Sequence, residues 1–406
     1  MQEIVITGRA LTPLALREGR SKNEFRTQRY IPGSALRGAL AEVQRLLHPE
    51  MTAEFTSFFL QGRVSYGNLM PANFEYDSEL LNQHSPVAPL PATARTCKRC
   101  GGFRAQSQGK DERHGVCDSL IPWLLFALSG RKNASALAPI EACRQDRCGA
   151  ELTGIRGFYR RGALPGGIGC SEETTGLITR IGINRMTGAT QEGVLFSREV
   201  LPKGTVFWGR CLVDEDLVDQ WLPVVQEASA SETLRIGSAR TSGLGKISIS
   251  GERAEKTLTA AAIREGAEGF NSLLSREADR CGIKLEQPYY LPLTLLSDVI
   301  AGDELLRCLT SLTGGYWRRE HGLAGARLVY QCAGHRRLSG WDGLSRLPKP
   351  DIYSIVMGSV FVYGFDDEPD YEQLLAVQQS GLGERLDEGF GRIRWADQWH
   401  LEVQPL

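Results

Sequence analysis

Two stretches of this 406-residue chain carry the same landmarks in the same order. The first holds Gly204-Thr205-Val206-Phe207, then Asp214-Glu215-Asp216, then Gly243-Leu244-Gly245-Lys246. The second holds Gly358-Ser359-Val360-Phe361, then Asp366-Asp367-Glu368, then Gly389-Phe390-Gly391-Arg392. The interval from 204 to 358 is 154 residues and that from 243 to 389 is 146. Each copy reads as apolar strand, acid-started helix, glycine turn with a cation, and apolar strand. Solenoid repeats are far shorter, so a period of one small domain points to a duplicated α+β unit. The repeated glycine-plus-cation turn is the first place to look for function.

Composition bounds the class. With 42% hydrophobic and 23% charged residues, the chain can bury two cores and is too apolar for disorder. The start, Met1-Gln2-Glu3-Ile4-Val5-Ile6, has a strand pattern without a basic n-region, and no apolar run is long enough to span a bilayer. A cytoplasmic protein without membrane partners is expected. The net charge of −1 means that any polyanion site must come from local clustering.

Ten cysteines in a reducing compartment argue against a disulfide framework. Cys97-Lys98-Arg99-Cys100-Gly101-Gly102 has the spacer and glycines that let two thiolates share one ion, and Cys143 and Cys148 offer a second pair. A structural Zn2+ held by Cys97, Cys100, Cys143 and Cys148 is expected, although His114 and Cys117 stand near enough in sequence to replace one partner. Four protein ligands leave no open position, so such a site is a clip and not a catalyst. Ordinary buried cysteines are the alternative.

Near the N-terminus, Pro32 and Gly33 stop a strand, Ser34 is a natural N-cap, and Leu36, Leu40 and Val43 give a helical apolar stripe. The free N–H groups of such a start favour an anion. Arg37 in the first turn opposes the helix dipole, which suggests a phosphate close by.

Ile31-Pro32-Gly33-Ser34-Ala35-Leu36-Arg37-Gly38 resembles the helix-start motif of the RAMP superfamily, the repeat-associated RNA-binding proteins of CRISPR systems. The loops at 237–246 and 381–392 resemble that superfamily's glycine-rich loop, and 178–196 is similar to a hairpin of type III effector subunits. With the cysteine insertion, and Ser339-Gly340-Trp341 ahead of Pro348-Lys349-Pro350, the pattern is most similar to the Cas-five-like, Csx-type subunits of type III-D complexes. The resemblance implies an α+β fold of two ferredoxin-like (RRM-like) RAMP domains with a zinc-binding insertion. It further implies a non-catalytic subunit that holds the 5′ repeat-derived tag of a CRISPR RNA and caps a subunit filament. Its partners would be the CRISPR RNA, other RAMP subunits and the large Cas-ten-type subunit.

The residues fit such a role. Glycine loops let backbone N–H groups approach phosphates, and Arg235, Arg240 and Lys246 surround the first loop with Ser242. Arg180 and Arg185 add charge around the hairpin. In the second half, Arg318, Arg319, Arg336, Arg337 and Arg392 interleave with Tyr316, Trp317 and Trp341, as single-stranded RNA requires. Single arginines are more often solvated surface charges, and glycine loops also serve as plain turns. The second loop carries Glu384, Asp387 and Glu388, which repel phosphate unless paired.

Two other readings remain. A CRISPR RNA-processing endoribonuclease needs a general acid and base near the RNA, yet of the six histidines only His335, followed by Arg336 and Arg337, stands in a suitable context. A zinc-ribbon module that binds protein is also compatible with the near-zero net charge. The first domain is placed at residues 1 to about 250, with the insertion at about 90–155. A helix over 258–280 follows, and then a second domain at 285–406.

Overall fold

The computed structural model describes residues 1–19, 25–50, 52–72, 86–104, 112–145, 148–164, 167–170, 175–183, 186–254, 258–342 and 347–402, with backbone alone at 161–164, 167–170, 190–195, 341–342 and 402. The first unit opens with β1 (Gln2–Ala10), α1 (Gly33–Leu47), α2 (Ala53–Phe59) and β2 (Val64–Pro71). An excursion follows: β3 (Val87–Pro89), β4 (Ala94–Cys97), β5 (Val116–Asp118), α3 (Leu120–Leu128), α4 (Ala138–Glu141), β6 (Leu152–Gly154), β7 (Phe158–Leu164) and β8 (Gly167–Cys170). The chain then makes a two-stranded ribbon of β9 (Gly176–Ile183) and β10 (Thr190–Val200). It completes the unit with β11 (Val206–Val213), α5 (Val218–Ala230) and β12 (Ile247–Arg253).

The helix expected over 258–280 is α6 (Ala260–Cys281), started by the Thr259 hydroxyl accepting from the Ala262 N–H and stopped at Gly282 with φ +64°. Beyond it lie β13 (Tyr289–Leu295), α7 (Gly314–His321), β14 (Arg327–Cys332), a ribbon of β15 (His335–Asp342) and β16 (Leu347–Ile355), β17 (Val360–Phe365), α8 (Tyr371–Ser380), β18 (Ile393–Trp395) and α9 (Trp399–Glu402).

The two main sheets run β12-β1-β11-β2 and β18-β13-β17-β14, with every neighbour antiparallel. Both are βαββαβ units with the first strand inside the sheet. Each also carries its ribbon at the same place, between its second and third strands. The duplication therefore extends beyond the landmarks that the sequence displays.

In the first unit α1 and α5 cover one face of the sheet. Leu36, Leu40 and Val43 from α1 meet Ile4, Ile6, Phe207 and Trp221, and the Trp221 Nε1–H donates to the Tyr66 hydroxyl at 3.2 Å. The other face is only partly covered, so its strands mix buried and half-exposed positions. The second sheet is covered on both faces. Leu291, Leu293 and Tyr363 pack with Trp317 and Leu374 on one side. On the other, Tyr290, Val360 and Val362 pack with Phe270 and Leu274 of α6 and Leu120 and Leu124 of α3. That two-sided burial explains why Val360-Phe361-Val362-Tyr363 is a continuous apolar run. Tyr316 and Trp317, expected to stack on bases, belong to this core at 3% and 0% exposure.

Candidate nucleic-acid interface

The two glycine loops follow one backbone path. In the first, Gly237, Ala239, Gly243 and Gly245 have φ of +92°, +57°, +86° and +90°; in the second, Gly383, Arg385, Gly389 and Gly391 have +77°, +58°, +93° and +77°. A 3-10 turn bridges the middle pair in each copy, at Arg240–Ser242 and Leu386–Glu388. The hydrogen bonds repeat as well: Ile236 N–H donates to Gly245 O and Leu382 N–H to Gly391 O, at 2.8 and 2.9 Å. Ser238 and Glu384 N–H donate to the Ala15 and Ile300 carbonyls, each five residues beyond the end of the matching strand, β1 or β13. A Cβ on Gly245 would lie 2.6 Å from the Ile236 carbonyl, so the glycine is required for close backbone approach as well as for φ.

Their surroundings differ. The second loop lies against the first unit: Ser65 Oγ donates to the Leu386 carbonyl, and a Cβ on Gly389 would meet Tyr66 O at 2.6 Å. Arg37 pairs with Asp387 and, at 3.9 Å, with Glu388. Glu388 also takes Lys349 at 2.7 Å and Arg385. Burial pushes the Glu388 carboxyl up, but the hydrogen bonds from Arg385 and Lys349 outweigh it and hold the group below its ordinary value. The start of α1 thus receives carboxylates where a phosphate was expected. Ser34 sits inside the first turn with no capping role, since Pro32 is the N-cap and Asn68 Oδ1 accepts from the Gly33 N–H at 2.9 Å.

The first loop is open, with nothing within 4 Å of a Cβ placed on Gly243. It packs on the β9–β10 ribbon through Leu244, Ala239, Ile178 and Val200, and Arg180 donates to the Ser242 carbonyl at 3.1 Å. Register places Arg180 opposite Phe196 and Ile178 opposite Arg198, so these four share one ribbon face. Phe25 lies 6.2 Å from Phe196, ring centre to ring centre, and has the Arg17 and Arg198 guanidiniums 5.4 and 5.1 Å from its own centre. Burial, then the like charges of Arg180 and Arg17, push the Arg198 guanidinium below its ordinary value. Three arginines held together around two aromatic rings beside exposed loop backbone suit a phosphate chain with unstacked bases. Arg17, Phe25, Phe196 and Arg198 are not evident in the sequence, because strand pairing and a loop bring together residues about 180 positions apart.

The remaining expected residues scatter. Arg240 pairs with Glu42 and Lys246 with Glu232 at 3.6 Å, both partly exposed pairs that a polyanion can displace. Arg235 bridges Lys246 through its backbone. Arg336 is turned inward, donating to Asp298 Oδ2 at 2.5 Å and to the Tyr30 hydroxyl at 2.6 Å. Arg337 pairs with Asp351 on the second ribbon. Arg392 points between the units at Ser65 Oγ. Arg185 lies outside the described residues, as does the side chain of Trp341.

In the excursion, Cys97, His114, Cys143 and Cys148 bring their ligand atoms within 4.8 Å of one another. Cys97 and Cys148 Sγ are 3.8 Å apart, the edge of a tetrahedron around zinc with thiolates at about 2.3 Å. His114 Nδ1 is 3.2 Å from Cys143 Sγ. His114 therefore takes the place assigned to Cys100, whose N–H donates to Cys97 Sγ at 3.4 Å. Burial raises the Cys97 thiol, but N–H donors from Cys100 and Arg99, then Cys148 and Cys143, bring it down to about 7. The donor set fits a structural metal ion.

Among the described residues the histidines offer no acid–base pair at the arginine cluster. His48 bonds Glu227, His114 joins the thiols, His321 stacks in the second core, and His335 Nε2 meets Thr310 O at 2.7 Å. His84 lies outside the described residues. His400 sits between Asp118 Oδ2 at 2.6 Å and Thr294 Oγ1 at 3.0 Å. All three members are 5% exposed or less, so this relay is sealed from substrate and ties the excursion to the second unit.

The RAMP superfamily profile matches residues 167–248, which include the β9–β10 ribbon, β11, α5 and the first glycine loop. No curated protein matches the chain. Among solved structures, a type III-B Cmr-beta complex bound to cognate target RNA and AMPPnP is similar at 12% identity over 88% of this chain and 86% of that one, with a TM-score of 0.37. The apo Cmr-beta structure has 12% identity over 63% and 99%, TM-score 0.32. Oligomeric Cmr4 from Pyrococcus furiosus has 14% over 62% and 99%, TM-score 0.25. Among the described residues no helix is long and apolar enough to cross a membrane.

Proposed function

We propose that the chain is a non-catalytic RNA-binding subunit of a type III CRISPR effector complex, built on two ferredoxin-like RAMP domains, that holds the 5′ repeat-derived tag of the CRISPR RNA and caps the subunit filament. The observation that carries the reading is the open first loop with the Arg17, Arg180 and Arg198 cluster around Phe25 and Phe196. Displaceable cations recognise phosphates, and the two rings accept splayed bases, with no perturbed acid or base required. The type III-D assignment and the partners, other RAMP subunits and the large Cas-ten-type subunit, come from the motif resemblance. The excursion acts as a structural Zn2+ clip in this reading.

The test is to purify the chain with its neighbouring gene products and sequence the RNA that accompanies it, in wild type and in an Arg180→Glu, Arg198→Glu double variant. Short RNAs sharing a repeat-derived 5′ end, lost in the variant, are the expected result. Absence of any defined RNA from the wild type would overturn the reading and favour a protein-binding module.

A further inference from the structure

A second cationic site lies between the two units and shares no residue with the first loop or its ribbon. It is a cleft of about 870 Å³, walled by the less covered face of the first sheet, by β18 and by the end of α8. That volume is in the range of small-molecule and cofactor sites. Three arginines enter it. Arg210 on β11 pairs with Glu3 at 2.7 Å, yet its Nε is buried with no hydrogen-bond partner among the described residues. Arg394 on β18 pairs with Asp397 at 3.3 Å. Arg392, just before β18, donates only to neutral oxygens, Ser65 Oγ and, at 3.5 Å, the Gln379 carbonyl.

Among the described residues three guanidiniums thus face two carboxylates, and Arg392 has no acidic partner. Burial pushes the Arg392 guanidinium down to about 10, with Cys211 and Glu3 pulling the other way. Arginine keeps its proton at neutral pH even so, and a half-buried guanidinium without an acidic partner is one that an anion can join. The other charges lining the cleft are matched, Arg253 with Asp219 and the Met1 amine with Glu215, so the excess charge belongs to the three arginines. The wall beside it is apolar: Met70, Val87 and Trp208 are each 6% exposed, and Arg210 lies 5.2 Å from the Trp208 ring centre.

We propose that this cleft binds a nucleotide, with Arg392 and Arg210 holding its phosphate and Met70, Val87 and Trp208 lying against its base. A free nucleotide and the phosphorylated end of an RNA present the same chemistry, and the experiment separates them. Calorimetric titrations of the full chain would use AMP, inorganic phosphate, and one short RNA in 5′-phosphorylated and 5′-hydroxyl forms. AMP binds more tightly than phosphate, because only AMP reaches the apolar wall. Arg392→Gln weakens AMP binding about tenfold or more, the loss expected for one charge-assisted hydrogen-bonding group. Glu3→Gln, which frees Arg210 and adds one positive charge to the cleft, strengthens it.

The Glu3→Gln arm keeps the test decisive should Arg392→Gln fail to fold. A 5′-phosphate-dependent preference for RNA over AMP identifies an RNA end as the ligand; equal or better binding of AMP identifies a free nucleotide. No binding of any probe below about 1 mM, or AMP affinity that Glu3→Gln leaves unchanged or weakens, overturns the proposal.

Discussion

Ala239 and Arg385 occupy the same left-handed position in two loops with matching hydrogen bonds, yet one loop faces open space and the other lies against α1 and β2. The difference is in the next side chains. Where the first loop has Thr241 and Ser242, the second has Asp387 and Glu388, and these meet Arg37, Lys349 and Arg385. Two carboxylates make the second turn a plug for a cationic socket. The comparison teaches that a repeated backbone does not carry a repeated function. One copy joins the units, and the other stays open beside the arginine cluster.

The largest test separates the second unit from the first loop. Stripping the metal, or His114→Ala, should destabilise the second unit by several kcal/mol, since the excursion covers its far face and structural zinc is folding free energy. Metal content falls toward zero in His114→Ala and stays near one ion per chain in Cys100→Ala, read by elemental analysis. RNA binding at the first loop should survive the treatment.

Gly389→Val should cost about 3 kcal/mol or more in chemical denaturation, combining a forbidden φ with a collision at Tyr66. Gly243→Val bears only the φ penalty, about 1–2 kcal/mol. Equal costs would break the contrast between docked and open loops.

Arg180→Glu with Arg198→Glu should lower RNA affinity roughly 100-fold at physiological salt and flatten the salt dependence, with little change in stability. Arg37→Ala should do the reverse: a loss of about 1 kcal/mol in stability from removing the partner of Asp387, while Glu388 keeps Lys349 and Arg385, and RNA affinity within about twofold of wild type.

The smallest effect is acidic. Glu388 is held below its ordinary value of 4.5 in the folded chain, so its contribution is complete above that pH and is lost as pH falls through the lower folded value. Urea midpoints of the wild type should therefore decline more steeply below pH 4.5 than those of Glu388→Gln.

Much of the fold was legible. The landmarks at 204–246 and 358–392 marked the duplicated unit because strand, helix start and glycine turn each have a local sequence signature. The paired ribbons were less visible, since β15 and β16 share no quoted motif with β9 and β10. At the start of α1, Arg37 reads in the sequence as the mark of a phosphate, and the structure pairs it with Asp387, which lies 350 residues away in sequence. Three of the four residues in the candidate metal cluster were readable from cysteine spacing, whereas His114 depended on the turn that follows Cys100, whose carbonyl accepts from the His114 N–H. The base-stacking role of Tyr316 and Trp317 failed because the Gly314–His321 stretch is a helix that turns both rings inward, and an aromatic pair reads the same in a core as on a surface.

The two-sided burial of the second sheet has a consequence for synthesis. Helix α3 is apolar along its whole length, Leu120–Leu128, and its partners Val360 and Val362 are added to the chain more than 230 residues later. At ordinary elongation rates that is an interval of about 10 to 50 s, during which a fully greasy helix hangs from a nascent chain without its cover. The protein's most exposed moment is thus on the ribosome, where chaperone supply and codon-level pacing between residues 128 and 360 would govern its yield.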